Sequence, residues 1–173
     1  TGDPVHTETL RQSQTFWLAP IAGGRVDPAA FSARLRWQCR ADQTGTHRFG
    51  LHSAGYSRLY VDGALVVDAH EGWTAGRTFF EEGCDEVVGE RDLAAGRSYE
   101  ITVEFVSRQS EMLVLSALRA GVGRPMGDAE IASAAEAAAA AGTALVFVGQ
   151  SGAWDTEGSD LEDIRLPGRQ DEL

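Results

Sequence analysis

Five carboxylates fall within nine residues in the run "DTEGSDLED": Asp155, Glu157, Asp160, Glu162 and Asp163. Carboxylates held this close repel one another, which favours the protonated form of one of them. An acid still protonated near neutral pH is what general acid–base catalysis requires. The run follows the apolar stretch "TALVFVG" and is flanked by Gly152 and Gly158. It therefore reads as a loop leaving a buried element, where catalytic groups concentrate. An acidic loop that merely faces water has the same composition. A second group of interest is aromatic. The long segment "AHEGWTAGRTFFEEGCDE" carries Trp73, Phe79 and Phe80. Rings there either pack into a core or offer a flat apolar face to a ligand. Trp73, between Gly72 and Thr74 and outside any alternating run, is the leading candidate for the second use.

Other chemistries find little material. His6, His47, His52 and His70 show no HxxxH or similar pairing, so no metal site is expected, and no cofactor either. Cys39 and Cys84 are too few for a disulfide scaffold and lack metal-ligand spacing. Cys39 falls on the apolar side of an alternating run and is expected as a buried free thiol. A formal net charge of −11 argues against a nucleic-acid partner, which needs clustered Lys and Arg. The acid is concentrated: residues 81–92 and residues 150–173 each carry a net −5. Both are expected as solvated acidic loops. The run "IASAAEAAAAAGTALVFVG" is too weakly hydrophobic for a membrane span, with Glu136 and Gly142 inside it, and reads as a helix followed by a strand. The N-terminus "TGDPVHTETL" lacks the basic and apolar regions of a signal peptide.

These groups need elements to position them. Residues 31–40 alternate, with Phe31, Ala33, Leu35, Trp37 and Cys39 on one side and Ser32, Arg34, Arg36, Gln38 and Arg40 on the other. Period two predicts a strand with one buried face. "HRFGLHS" continues in that style after the turn "DQTG". "RLYVDGALVVD" predicts a tight hairpin with positive φ at Asp62-Gly63. "SYEITVEFV" turns Tyr99, Ile101, Val103 and Phe105 inward, and "EMLVLSALRA" is expected as its hairpin partner. Past "GVGRPMGD" the pattern changes. Asp128 can cap a helix through about Ala141, with Glu130 near the positive end of its dipole. "TALVFVG" then reads as a strand buried on both faces, and Leu166-Pro167-Gly168 suits the opening of another helix. The fold class expected is mainly β: an antiparallel β-sandwich or barrel over residues 1–121, a linker over 122–127, and a truncated α/β segment over 128–173. That segment holds one helix, one strand and the acidic loop.

Two resemblances rest on these residues. "RFGLHSAGYSRLYVDGALVVDAHEGW", with "DLAAGRSYEITVEFV" downstream, resembles the protective-antigen-like (PA-fourteen) module, a β-sandwich associated in many relatives with carbohydrate recognition. The features carrying it are the strand–turn–strand around Leu59 to Gly63 and the "L-x-x-G-x-x-Y" entry to a late strand, over roughly residues 5–121. "ALVFVGQSGAWDTEGSDLEDIRLPGRQDEL" resembles part of the α/β-sandwich domain of family-3 glycoside hydrolases, the β-glucosidase group. In many of those enzymes such a module is inserted within that domain, and the order here matches the stretch on the C-terminal side of the insertion. Ser159 stands where the common pattern has an aromatic residue and Leu161 where it has an arginine, which implies a sugar pocket of different detailed shape.

The resemblance implies chemistry for named residues. A retaining glycosidase works with two carboxyl groups about 5–5.5 Å apart, one a nucleophile and one an acid/base. The resemblance assigns the acid/base role to Glu157 and places Trp154 and Asp155 on the substrate side. Asp155 and Asp160 would raise the Glu157 pKa by like-charge repulsion. In this family the nucleophile is an Asp of a separate barrel domain of the same parent chain, which becomes an expected partner. These 173 residues alone are expected to be inactive. The expected ligand is a β-linked glycoside or oligosaccharide. The module would shape the leaving-group side, with Trp73, Phe79 and Phe80 as stacking candidates. A homodimer remains open as a further association. Two rivals stand beside this reading. One is a free-standing lectin or adhesin module, disfavoured because "HSAGYS" lacks the paired Asp of calcium-dependent relatives. The other is a purely structural or dimerisation insert.

Overall fold

In the computed structural model, residues 2–110, 114–150 and 163–172 are described. The chain divides into two units, Thr1–Gly123 and Arg124–Leu173. The first contains all eight strands: β1 (Gln14–Trp17), β2 (Ser32–Arg40), β3 (Gly45–Ala54), β4 (Tyr56–Val61), β5 (Ala64–Ala69), β6 (Val87–Leu93), β7 (Ser98–Val106) and β8 (Ser116–Gly123). They form two four-stranded antiparallel sheets, ordered β1-β8-β3-β6 and β2-β7-β4-β5. Phe49, Leu51 and Leu118 face Leu59, Val61, Ile101, Val103 and Phe105 in one interior cluster, the mainly β sandwich that the alternating runs predict.

The chain changes sheets between β3 and β4 at a single residue. Gly55 has φ of 141°, and a Cβ there would collide with the Phe105 ring. Only glycine allows the backbone to approach so closely in that conformation. The β4–β5 hairpin turns at Asp62 and Gly63, with φ of 48° and 77°, as the Asp-Gly pair predicts. On β7 the side chains of Tyr99, Ile101, Val103 and Phe105 are buried, again as predicted. Both cysteines are free; Cys84 is buried and Cys39 half-buried on the core side of β2. Burial and the nearby Asp42 carboxylate push the Cys39 thiol up, keeping it protonated.

Two expectations for the sandwich are corrected, and one strand is added. β8 is not the hairpin partner of β7: it pairs with β1 and β3 in the other sheet. β7 already has β2 on one edge and β4 on the other, so it offers β8 no free hydrogen-bonding edge. Acidic residues 81–92 are not all loop, because β6 occupies Val87–Leu93 and pairs with β3. Its inner face needs little apolar area, since Gly89 lets it press against β5: a Cβ there would strike the Val66 carbonyl. β1 is a short strand with no alternating run long enough to announce it.

In the second unit, α1 spans Asp128–Ala140. Gly127 rather than Asp128 takes the capping position, and its N–H donates to Glu130 Oε2 at 2.9 Å. That bond, with the helix amides, holds the Glu130 carboxyl below its usual range. Residues 143–150 form no strand, and Leu145 and Phe147 are 80% and 89% exposed. A strand apolar on both faces needs flanking strands and covering layers, and this unit pairs nothing with it among the described residues. Beyond Pro167 the chain makes only a short 3-10 turn at Gln170–Glu172. Gln170 ties that turn back by hydrogen bonds with the N–H and carbonyl of Gly149.

Candidate functional site

The connection from β5 to β6, residues 70–86, holds the aromatic candidates, and its path is set residue by residue. At its start Asp68 Oδ1 accepts the N–H groups of His70 and Glu71 at 2.9 and 3.1 Å, while Oδ2 accepts from Arg58 at 3.0 Å. Burial alone would raise the Asp68 carboxyl, but these donors outweigh it and hold the pKa below the ordinary value. Trp73 follows. Its Nε1–H donates to the Ser53 carbonyl at 3.2 Å, and the Arg108 guanidinium lies over the indole, 4.2 Å from the ring centre. Tyr56 meets the same ring edge-on at 6.2 Å. Trp73 is thus half-buried against the core, with one face under a cation.

Farther along, the backbone enters a left-handed turn. Phe79, Phe80 and Glu81 have φ of 54°, 60° and 65°. For residues with a Cβ this conformation costs roughly 1–2 kcal/mol each. Both ends of the turn are anchored. Thr78 Oγ1 donates to the Cys84 carbonyl at 2.6 Å, and the Gly83 N–H donates to the Thr78 carbonyl at 2.9 Å. Phe79 is 7% exposed, sits in a cluster with Ala54, Leu115 and Ala117, and meets Phe16 edge-on at 5.4 Å. Glu82 is also 7% exposed; its carboxylate accepts from Arg108 at 3.1 Å and from Ser110 Oγ at 2.7 Å. Such an ion pair adds little net stability, yet removing one partner is costly, so it acts mainly to fix geometry. Between these anchors Phe80 points outward, 63% exposed.

Of the three loop aromatics, then, Phe80 offers an uncovered ring, whereas Phe79 packs into the cluster beneath the turn and Trp73 packs against the core under Arg108. The sequence contains no sign of this division, because no glycine marks Phe79–Glu81 as left-handed. Arg108 and Glu82, which link the loop to the segment after β7, were also not legible: they are 26 residues apart and meet only in the fold. Beside Arg108 lies a depression of about 170 Å³ lined by Pro28, Ser110 and Leu115 among others, smaller than the ~300 Å³ at which small-molecule sites begin. Trp154, Asp155 and Glu157 lie outside the described residues, as does Asp160. Among the described residues no cluster of His, Cys, Asp or Glu is placed to hold a metal ion, and no helix is long and apolar enough to cross a membrane.

Comparison with known proteins adds a second line of observation. The PA14 domain family matches residues 1–135. A β-glucosidase from Rhizobium radiobacter is 45% identical over 172 residues, which cover 98% of this chain and 21% of that protein. Crystal structures of β-glucosidase from Kluyveromyces marxianus superpose with a TM-score of 0.87 at 29% identity, over 99% of this chain and 20% of theirs. One of that enzyme in complex with glucose gives 0.85 at the same identity. The chain spans about a fifth of the length of the relatives it matches.

Proposed function

The chain belongs to the PA14 domain family, and from that premise we propose that it is a carbohydrate-recognition module of a β-glucosidase, joined to the segment bearing that enzyme's acid/base residue. One observation carries the reading: similarity to the Rhizobium radiobacter β-glucosidase extends through 98% of the chain, beyond the sandwich and across the acidic run. The ligand is a β-linked glycoside. Glu157 is the general acid that protonates the leaving oxygen and then the base that activates water. Its place between Asp155 and Asp160, just before Gly158, supports that role through like-charge repulsion. A barrel domain elsewhere in the parent chain supplies the nucleophile, so these 173 residues by themselves release no aryl group from an aryl β-glucoside. Trp154 and Asp155 contribute to the substrate side.

The module acts on the leaving-group side. Phe80, displayed on a strained and doubly anchored turn, is the stacking surface, and Phe79 packs into the cluster beneath that turn. Strain of this kind persists only where the surroundings over-determine it, and it concentrates at binding sites.

The test uses the full-length parent enzyme and a panel of glucosides differing only in aglycone. Glu157→Gln is expected to lower turnover strongly for poor leaving groups and less for good ones, which need little protonation. Phe80→Ala is expected to change the ratio of kcat/KM between bulky and short aglycones severalfold. Equal losses over the whole panel for Glu157→Gln would move the acid role to another carboxylate. One common factor for Phe80→Ala would make the module a structural insert.

A further inference from the structure

On the outer face of the β1-β8-β3-β6 sheet, four polar side chains fall in one cross-strand row. Gln14 pairs with Arg119, and Arg119 pairs with His52. Leu51 pairs with Val87, so His52 stands opposite Glu86 at the mouth of β6. The face is fixed by the alternation of each strand. Leu51, Leu118 and Ala120 point into the interior cluster, and Val87 packs against it, so His52, Arg119 and Glu86 point away from it. An amide, a guanidinium, an imidazole and a carboxylate thus lie side by side, one from each strand or its edge.

Several of these groups have hydrogen-bonding capacity to spare. Arg119 is half-buried; its Nε–H donates to Gln14 Oε1 at 3.2 Å, and no carboxylate pairs with it among the described residues. The His52 Nδ1 is buried without a hydrogen-bond partner. Next along the same face the sheet is bare. Gly121 follows Arg119 by two residues and pairs with Gly50, and a Cβ on Gly121 would meet no atom within 4 Å. The Glu86 carboxylate covers Gly50 itself, where a Cβ would strike it. Phe79 lies on the other side of the row, 5.8 Å from the Arg119 guanidinium. The result is a shallow strip with a glycine floor, a polar wall and an aromatic border.

We propose that this row and the glycine strip beside it form a contact site for the hydroxyl groups of a neutral pyranoside. Charge selects the class. Arg119 opposes a cation, while Glu86 and Asp85 beside His52 oppose an anion. Burial holds His52 below its ordinary pKa; Glu86 pulls it upward and Arg119 pushes it down, with smaller upward contributions from Asp85 and the Cys84 backbone, and burial prevails. The neutral imidazole can therefore donate or accept. A polyol answers all of these groups at once: Arg119 donates, Glu86 accepts, and His52 and Gln14 do either. Gly121 leaves open space beside the row for one edge of a ring, while the Glu86 carboxylate occupies the space over Gly50. The choice of a sugar rests on the carbohydrate reading above; the row itself, which does not include the Phe80 ring, does not.

The experiment titrates the 173-residue chain with cellobiose, followed by amide and side-chain NMR shifts. Variants are Gly121→Val, Arg119→Lys and Phe80→Ala, with sodium glucuronate as a second probe. Gly121→Val fills the strip at a position open enough to receive it, and valine suits a strand. Its amide spectrum reports whether the fold is kept, and Arg119→Lys, which keeps the charge, serves if it is not. The expected result is saturable shifts at Arg119, His52 and Gly121 that Gly121→Val abolishes and Arg119→Lys weakens at least threefold, with no response to glucuronate. Shifts centred on Phe80 and absent at Arg119, His52 and Gly121, lost in Phe80→Ala and unchanged in Gly121→Val, overturn this site and leave the carbohydrate reading standing. No shifts with either probe overturn both. A response at the row to glucuronate alone overturns the neutral class.

Discussion

Residues bearing a Cβ adopt positive φ in three turns among the described residues, at Ala22, at Asp62 and at Phe79–Glu81, and the last two contrast in how they are held. At the β4–β5 hairpin, Asp62 and Gly63 adopt 48° and 77°, the conformation that an Asp-Gly pair favours on its own. Asp62 also has tertiary partners, since Oδ1 accepts the Glu100 N–H and Oδ2 accepts from Arg97, both at 2.8 Å, but its residue pair already favours the turn. In the loop, Phe79, Phe80 and Glu81 adopt 54°, 60° and 65° with no glycine among them. No residue type in that run favours positive φ, although hydrogen bonds from Thr78 Oγ1 and the Gly83 N–H close the turn locally. Phe79 in its apolar cluster and Glu82 on Arg108 and Ser110 add anchors from outside the loop. The first turn closes a hairpin with no visible surplus. The second uses tertiary contacts to expose one aromatic ring, and the binding role proposed for Phe80 rests on that difference.

Breaking the distant anchor should have the largest effect. Arg108→Ala leaves Glu82 buried without its cation, a change that costs about 3 kcal/mol in comparable sites. Denaturant unfolding should show that loss, and amide exchange should rise across 76–83 while the Asp62-Gly63 hairpin stays protected. Uniform loss of protection would mean that the ion pair holds the whole sandwich and not the turn.

Backbone exchanges sharpen the contrast at a smaller scale. Gly63→Ala puts a Cβ into open space, so it costs only the left-handed backbone penalty, about 1 kcal/mol. Glu81→Gly removes that same penalty at an exposed position and should stabilise the chain by up to about 1 kcal/mol. Thermal unfolding of the pair should therefore move Tm in opposite directions. If both variants lower it, the loop turn is not strained and the comparison fails.

The smallest effect concerns pH. Burial lowers the folded-state pKa of His52 below the ordinary 6.5, so the unfolded chain takes up the proton first as pH falls. The stability contribution of neutral His52 is complete above about pH 6.5 and is lost as pH drops through its lower folded value. The Cys84 carbonyl and Glu86 lie next to His52, so acidification should raise exchange at the β6 end of the loop before it touches the hairpin. His52→Gln should flatten the slope of stability against pH in this mildly acidic range. An unchanged slope would remove His52 as its source.

Much of the sandwich was legible without coordinates. Period two in residues 31–40 and 98–106 marked β2 and β7 together with their buried faces, because a half-buried strand must alternate. Asp62-Gly63 announced its hairpin for an equally local reason. Pairing was not legible in the same way. β8 looked like the partner of β7, but which edge is free depends on where β2 and β4 have already docked. The apolar run 144–149 carries the composition of a buried strand and here pairs with no strand among the described residues, because strand formation requires neighbours that composition does not supply.

The candidate site divides along the same line. Its residue types, three aromatics in one long loop, stood in the sequence from the start. Which ring is free was decided by the fold alone. Arg108 covers Trp73, Phe16 meets Phe79, and only Phe80 is left on an outward turn. The row Gln14, Arg119, His52 and Glu86 comes from four distant stretches and exists only because strand register aligns them. Local chemistry determined what each segment could become, since propensity and periodicity act over a few residues. Tertiary packing decided which side chains meet and which remain exposed, because burial and register are properties of the assembled sheets.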